Sequence, residues 1–69
     1  MHDLMRTMRA NSLRDRLSRC ESEKASLLAE INSPTIGPTR KRDAFVRYSL
    51  VMMGMRAMNA ELNQIASSQ

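Results

Sequence analysis

The C-terminal half of the chain carries more apolar positions than one helix face holds. Projecting residues 40–66 at ~100° per residue separates the apolar side chains into two faces. The broader face contains Phe45, Tyr48, Val51, Met52, Met55, Leu62 and Ala66. The second face contains Val46, Leu50, Met53, Ala57 and Ala60. One edge between them is formed by Ser49, Arg56 and Asn63, and the other by Arg47, Gly54 and Glu61.

The N-terminal half has a single apolar seam. Its positions alternate at spacings of four and three, which is the heptad pattern of a coiled-coil helix. The seam consists of Leu13, Leu17, Cys20, Lys24, Leu27 and Ile31. It predicts a first helix over residues 12–32. Leu4 and Met8 project away from the seam, so residues 1–11 are predicted to form an N-terminal extension, either a separate turn, a short helix or a fraying end.

The two halves are separated by "NSPTIGPTR", residues 32–40. Pro34 and Pro38 lack an amide donor and favour extended conformations before them, so one helix cannot cross this stretch. We expect a loop over residues 33–39 and a second helix over residues 40–66, with Thr39 as its N-cap. The predicted fold is therefore a single all-α domain, an antiparallel two-helix hairpin that resembles a coiled coil.

A single neighbouring helix covers a stripe of roughly 100° on its partner, so the first helix can bury one face of the second. We expect it to bury the broad one. The predicted hairpin core is Leu13, Leu17, Cys20, Leu27, Ile31, Phe45, Tyr48, Met52, Met55 and Leu62. The second face, Val46, Leu50, Met53, Ala57 and Ala60, is then predicted to bind another protein chain. The methionines suit this use because their flexible side chains fill irregular grooves.

Length and composition support the need for a partner. A chain of 69 residues forms a small core, and its single cysteine and single histidine provide neither an internal disulfide nor a zinc site. No pairing of nucleophile and base is present, so we expect neither an enzyme nor a cofactor. The N-terminus lacks a continuous apolar region, and the run at 50–58 is too short to span a bilayer. The chain is predicted to be cytoplasmic.

The formal net charge of +4 raises nucleic acid as an alternative partner. A homodimeric helical hairpin can bind RNA, and phosphate contacts would come from Arg14, Arg40, Lys41, Arg42 and Arg47. The chain has two aromatic residues, Phe45 and Tyr48, and both project onto the apolar face, which leaves no platform for stacking bases. We therefore interpret the charge mainly as solvated surface.

The segments "LRDRLSRCESEKASLLAEI" and "AFVRYSLVMMGMRAMNAEL", joined by a Gly-containing break, resemble the YscE-like co-chaperones of type III secretion needle proteins. The resemblance implies a hairpin that docks against a helical-repeat chaperone and helps to keep the needle subunit soluble before export. The loop, with two prolines, is longer than expected for that family. A secreted helical-hairpin filament subunit has a similar plan and remains a further alternative. Self-association of two hairpins into a four-helix bundle is another.

Overall fold

The predicted all-α hairpin is confirmed by the computed structural model, which describes the backbone of residues 2–67 and the side chains of residues 3–67. Helix α1 spans His2–Ile31 and helix α2 spans Pro38–Ser67, each with 30 residues. The two helices pack side by side over their length and form a rod of 53 × 14 × 12 Å. No strand occurs within residues 2–67.

Helix α1 begins well before the predicted residue 12. Residues 2–11 continue the helix instead of forming a separate turn, while Met1 lies outside the described residues. Nothing in this stretch is a proline or glycine, and Asp3 in the first turn complements the positive end of the helix dipole. Ala10, only 6% exposed, carries the inward-facing seam one step further towards the N-terminus.

Helix α2 begins at Pro38, two residues before the predicted position. The amide of Lys41 donates to the carbonyl of Gly37 over 3.0 Å, which makes Gly37 the N-cap. Thr39, the predicted N-cap, lies inside the first turn instead. The reason is that proline suits the first helical position, because its φ is already helical and its missing amide would have no partner there.

The end of α1 is closed by local backbone hydrogen bonds. The amide of Asn32 donates to the carbonyl of Leu28 over 3.0 Å, and that of Ser33 donates to Glu30 over 3.1 Å. The chain then turns through residues 32–37 and reverses direction. This short connection brings α2 back along α1 and leaves both helix axes roughly aligned with the rod.

The inward face of α1 is the heptad seam. Leu13 and Leu27 are buried, at 2% and 7% exposure, and Leu17, Cys20 and Ile31 are half-buried. Because only one helix covers this face, burial is complete at few positions. The hydrophobic contact is therefore a single layer of side chains between two helices, without the surrounding elements that enclose a larger core.

The inward face of α2 keeps four of the seven predicted positions and is turned by less than one residue from the predicted face. Ala44 and Met55 are buried, and the other inward positions are half-buried. The inward residues are Ala44, Tyr48, Val51, Met55, Met58, Leu62 and Ile65, at alternating spacings of four and three. Met52, predicted for the core, is half-buried at the margin of this seam.

Phe45 does not belong to the hairpin core. It is 58% exposed, and its described aromatic contact is with Tyr48, at 6.4 Å between ring centroids. The prediction placed the large aromatic side chain inward, but the adjacent Ala44 occupies that position. A small residue permits the close approach of two helices, and Phe45, ~100° further around the helix, is turned to the edge of the contact.

Candidate functional site: the outer face of α2

One edge of the hairpin is closed by ion pairs between the helices. They are Arg9–Glu61 at 2.6 Å, Glu23–Arg47 at 2.9 Å and Glu30–Arg40 at 2.9 Å. In every pair the two residue numbers add up to 70, as expected for two antiparallel helices in one register. The spacing along each helix is a multiple of seven, so the pairs follow one edge. They define which residues of α1 lie level with which residues of α2.

The Arg9–Glu61 pair is the best formed of the three. The Nε and Nη2 atoms of Arg9 donate to the two carboxylate oxygens of Glu61 over 2.6 and 3.0 Å. The hydrogen bond from Arg9 lowers the pKa of Glu61, desolvation acts in the opposite direction, and smaller charge interactions with Arg9 and Arg16 lower the pKa further. The same hydrogen bond raises the pKa of Arg9. Both side chains are exposed to solvent, so the pair orients the helices more than it stabilises them.

The outer face of α2 consists of Val46, Leu50, Met53, Ala57 and Ala60, the residues predicted to bind another protein. All five are exposed, and the three large ones retain 55%, 63% and 64% of their accessible surface. Their spacings of four and three repeat the heptad pattern of the inward seam. Helix α2 therefore has two coiled-coil-like seams, of which α1 covers one.

Polar flanks border this outer face on both sides. The flank nearer to α1 is the ion-paired edge, with Arg47, Gly54 and Glu61. The opposite flank consists of Arg42, Ser49, Arg56 and Asn63. Within the described residues, Arg42 and Arg56 take part in no ion pair. The outer face is thus an apolar stripe with charges on both sides, which is the organisation of a helix that packs against another helix.

The ion-paired edge is interrupted at Gly54. By the register of the neighbouring pairs, Arg16 of α1 lies level with this glycine. An open groove forms here, and its lining includes Arg16, Cys20, Arg47, Leu50, Gly54 and Met58. A Cβ atom placed on Gly54 would meet no other atom within 4 Å. The packing of the hairpin itself therefore does not require a glycine at this position.

Two further apolar surfaces were not predicted as sites. Near the start of α1, Leu4, Met5 and Met8 are exposed at 66%, 72% and 63%. These residues form part of a helix surface because α1 extends to His2. The helical spacing of apolar residues within 2–11 is the sequence signal that could have predicted this surface. At the loop end, a second groove is lined by Ile31, Pro38, Lys41, Arg42, Phe45 and Val46.

The basic cluster at residues 40–42 is divided by the fold. Arg40 pairs with Glu30 across the hairpin, whereas Lys41 and Arg42 make no ion pair within the described residues. Arg47, another residue of the RNA-binding alternative, is held by Glu23, and Arg14 donates to Asn11 within α1. The basic residues considered for phosphate contacts are therefore not gathered on one free surface.

Residues 3–67 contain no group of three or more histidine, cysteine, aspartate or glutamate side chains placed to hold a metal ion. Cys20 is a free, half-buried thiol. Neither α1 nor α2, over its described residues, is long and apolar enough to cross a membrane. Comparisons with protein-family models, with curated proteins and with solved structures found no match.

Proposed function

We propose that this chain is a non-enzymatic protein-binding module whose outer face of α2 packs against a helix of another polypeptide chain. The observation that carries the proposal is the exposure of Val46, Leu50 and Met53 along one heptad seam. Fully burying such a side chain contributes about 1.5–3 kcal/mol. Since each keeps more than half of its surface exposed, covering all three contributes about 3–5 kcal/mol.

That energy is comparable to what the hairpin core itself supplies, because a chain of this size gains roughly 3–5 kcal/mol from a single core. A partner helix would therefore stabilise the hairpin substantially while covering its apolar surface. Met53 and Leu50, the most exposed of the large residues on the outer face, are the centre of the proposed contact. Binding and folding of this module would then depend strongly on each other.

In its specific form, the proposal makes the chain a small cytoplasmic co-chaperone or adaptor, acting on a type III secretion needle subunit together with a helical-repeat chaperone. The support for this form is the resemblance in overall plan. Both are two-helix hairpins of similar size, with an Ala-rich second helix whose apolar surface is only partly covered by the first helix. The secreted filament subunit would use the same face to contact neighbouring subunits.

The RNA-binding alternative has less support from the charges. Three of the basic residues of α1 and α2 form ion pairs across the hairpin, and phosphate binding would have to compete with glutamates for Arg40 and Arg47. A steep loss of RNA affinity between low and moderate salt would nevertheless favour that function over protein binding.

Site-specific photo-crosslinking tests the proposal. A photoreactive amino acid replaces Met53 on the outer face of α2, and in the matched control it replaces Ser22, an exposed residue of α1. In native cells, position 53 should crosslink to a defined polypeptide and position 22 should not. Met53→Asp should abolish the complex while Lys41→Ala retains it, with both variants as helical as the parent. A complex that survives Met53→Asp would contradict the proposal.

A further inference from the structure

We propose that the chain covering the outer face of α2 is a second copy of this protein, packed antiparallel with a two-fold axis beside Met53 and Gly54. The inference rests on the proposed function, because it takes the outer face as a docking surface and names its occupant. The dimer would be a flat layer of four helices, in the order α1, α2, α2, α1, since the two seams of α2 lie on nearly opposite sides.

Side-chain size changes from one end of the outer face to the other. The large residues Val46 and Leu50 lie towards its N-terminal end, and the small residues Ala57 and Ala60 towards its C-terminal end, with Met53 between them. An antiparallel copy places Leu50 opposite Ala57 and Val46 opposite Ala60. The layers on either side of the axis then each combine one large and one small side chain, and Met53 meets Met53 of the copy beside the axis.

A parallel copy would instead put large residues against large ones and small residues against small ones. The pairs of large residues would hold the helices apart at one end, and the pairs of small residues would leave space between them at the other. The antiparallel arrangement also satisfies a two-fold axis without further adjustment, because each contact between two positions occurs twice. The size pattern therefore favours a copy of this helix, turned end for end.

The charges on the ion-paired edge are complementary to those of an antiparallel copy. Arg47 lies seven residues before Gly54, and Glu61 lies seven residues after it. Inside the hairpin, residues on corresponding edges of antiparallel helices form the ion pairs. The same geometry between two copies of α2 brings Arg47 opposite Glu61 of the copy, on both sides of the axis. Together with Glu23 and Arg9, the four side chains form a row of alternating charge.

The opposite flank of the outer face selects the register. In the proposed register, Arg56 lies opposite Ser49 of the copy, and Arg42 lies opposite Asn63. Sliding one copy by a heptad in one direction brings Arg56 opposite Arg42, and sliding it in the other direction brings Arg56 opposite Arg56. Like charges placed opposite each other oppose association. Of these three registers, only the one centred at Met53 and Gly54 avoids a pair of arginines.

Gly54 fits this arrangement. Glycine is among the least favourable residues in a helix interior, and the hairpin offers no neighbour that a Cβ atom would disturb. In the proposed dimer, Gly54 lies on the axis, opposite Gly54 of the copy. Its missing side chain there permits the two backbones to approach closely.

The test uses the oligomeric state of the full chain, measured by sedimentation equilibrium up to millimolar concentration. The parent should show a dimer of twice 7.9 kDa. Leu50→Lys or Ala57→Glu alone should weaken the dimer about tenfold or more, because each buries an unpaired charge. The double variant Leu50→Lys with Ala57→Glu should recover the dimer, since each new lysine faces a new glutamate of the copy.

The matched control is Val46→Glu with Leu50→Lys, which introduces the same two charges on the same face. In the proposed register these positions face the C-terminal end of the copy's outer face and not each other. The control should therefore remain monomeric. Circular dichroism must show the same helix content in all variants. Recovery in the control, or failure of the in-register double variant to recover, would overturn the proposed register.

A second measurement does not depend on affinity. In a Cys20→Ser background, Met53→Cys places a thiol beside the axis, and mild oxidation should form a disulfide-linked dimer. Ser22→Cys in the same background should not. A parent chain that remains monomeric at millimolar concentration would refute the dimer. If position 53 nevertheless crosslinks to a different protein in cells, the docking surface stands and only its occupant is wrong.

Discussion

Replacing Leu13 with alanine tests whether the contact between α1 and α2 holds the hairpin together. Leu13 is only 2% exposed, the lowest exposure among the buried hydrophobic residues. Removing a buried leucine side chain down to alanine costs about 2–5 kcal/mol, and less where neighbours can collapse into the space. The single layer between the two helices is open on both sides, so we expect a loss of about 2–3 kcal/mol, near the lower end of that range.

Such a loss approaches the roughly 3–5 kcal/mol that a core of this size provides. Leu13→Ala should therefore keep only about 0–3 kcal/mol of stability, so that the hairpin is at most marginally stable in the absence of a partner. The control is Leu4→Ala on the same helix, where the side chain is 66% exposed and the expected change is below about 0.5 kcal/mol.

Urea denaturation followed by far-ultraviolet circular dichroism measures both changes, at one protein concentration so that any self-association is held equal. If Leu13→Ala lost no more stability than Leu4→Ala, the seam through Leu13 would not be the contact that stabilises the hairpin. The register inferred from the ion pairs would then also need revision, because it places this seam against α2.

Two further predictions concern the edge that both seams share. The lowered pKa of Glu61 means that its ionised form stabilises the folded hairpin, so this contribution is present above the ordinary glutamate pKa of about 4.3 and is lost as the pH falls through the lowered value. Unfolding measured across that range should show a weaker pH dependence for Glu61→Gln than for the parent, and an equal dependence would contradict the assignment. Gly54→Ala should raise the free energy of unfolding by up to about 1 kcal/mol at concentrations where the chain is monomeric, because alanine favours the helix and its Cβ meets open space. The same substitution should weaken the proposed dimer in sedimentation experiments, and a tighter dimer would exclude a close approach at this position.

The sequence pattern predicted the hairpin because both helices have strong heptad seams and the two prolines separate them. It located α2 to within two residues at its start and placed Leu13, Leu27 and Met55 on inward faces. It failed where small or polar residues occupy inward positions. Ala10 does not stand out as a core residue, so the sequence predicts that the apolar seam of α1 begins only near residue 12.

The wrong prediction that Phe45 belongs to the core has the same cause. An aromatic side chain next to an alanine dominates any estimate of hydrophobicity, yet the close approach of the helices selects Ala44 for the inward position. The ion pairs between the helices were also missed. Their residues recur at spacings of seven on each helix, but the pairing depends on the register, which the turn through residues 32–37 determines. A periodic pattern identifies faces, whereas the contacts between faces depend on how the chain returns.

The edge formed by Arg47, Gly54 and Glu61 links the fold of this hairpin to its proposed binding. These residues border the seam that α1 covers and also the outer face, and two of them already hold α1 through Glu23 and Arg9. A helix that docks on the outer face therefore places additional side chains next to the charged residues that position α1. Because such a helix contacts the folded hairpin and not the unfolded chain, its binding must raise the apparent stability of the hairpin. Removing the charge of Arg47 or Glu61 should therefore weaken stability and docking together, whereas a change at Leu4, away from the edge, should affect neither.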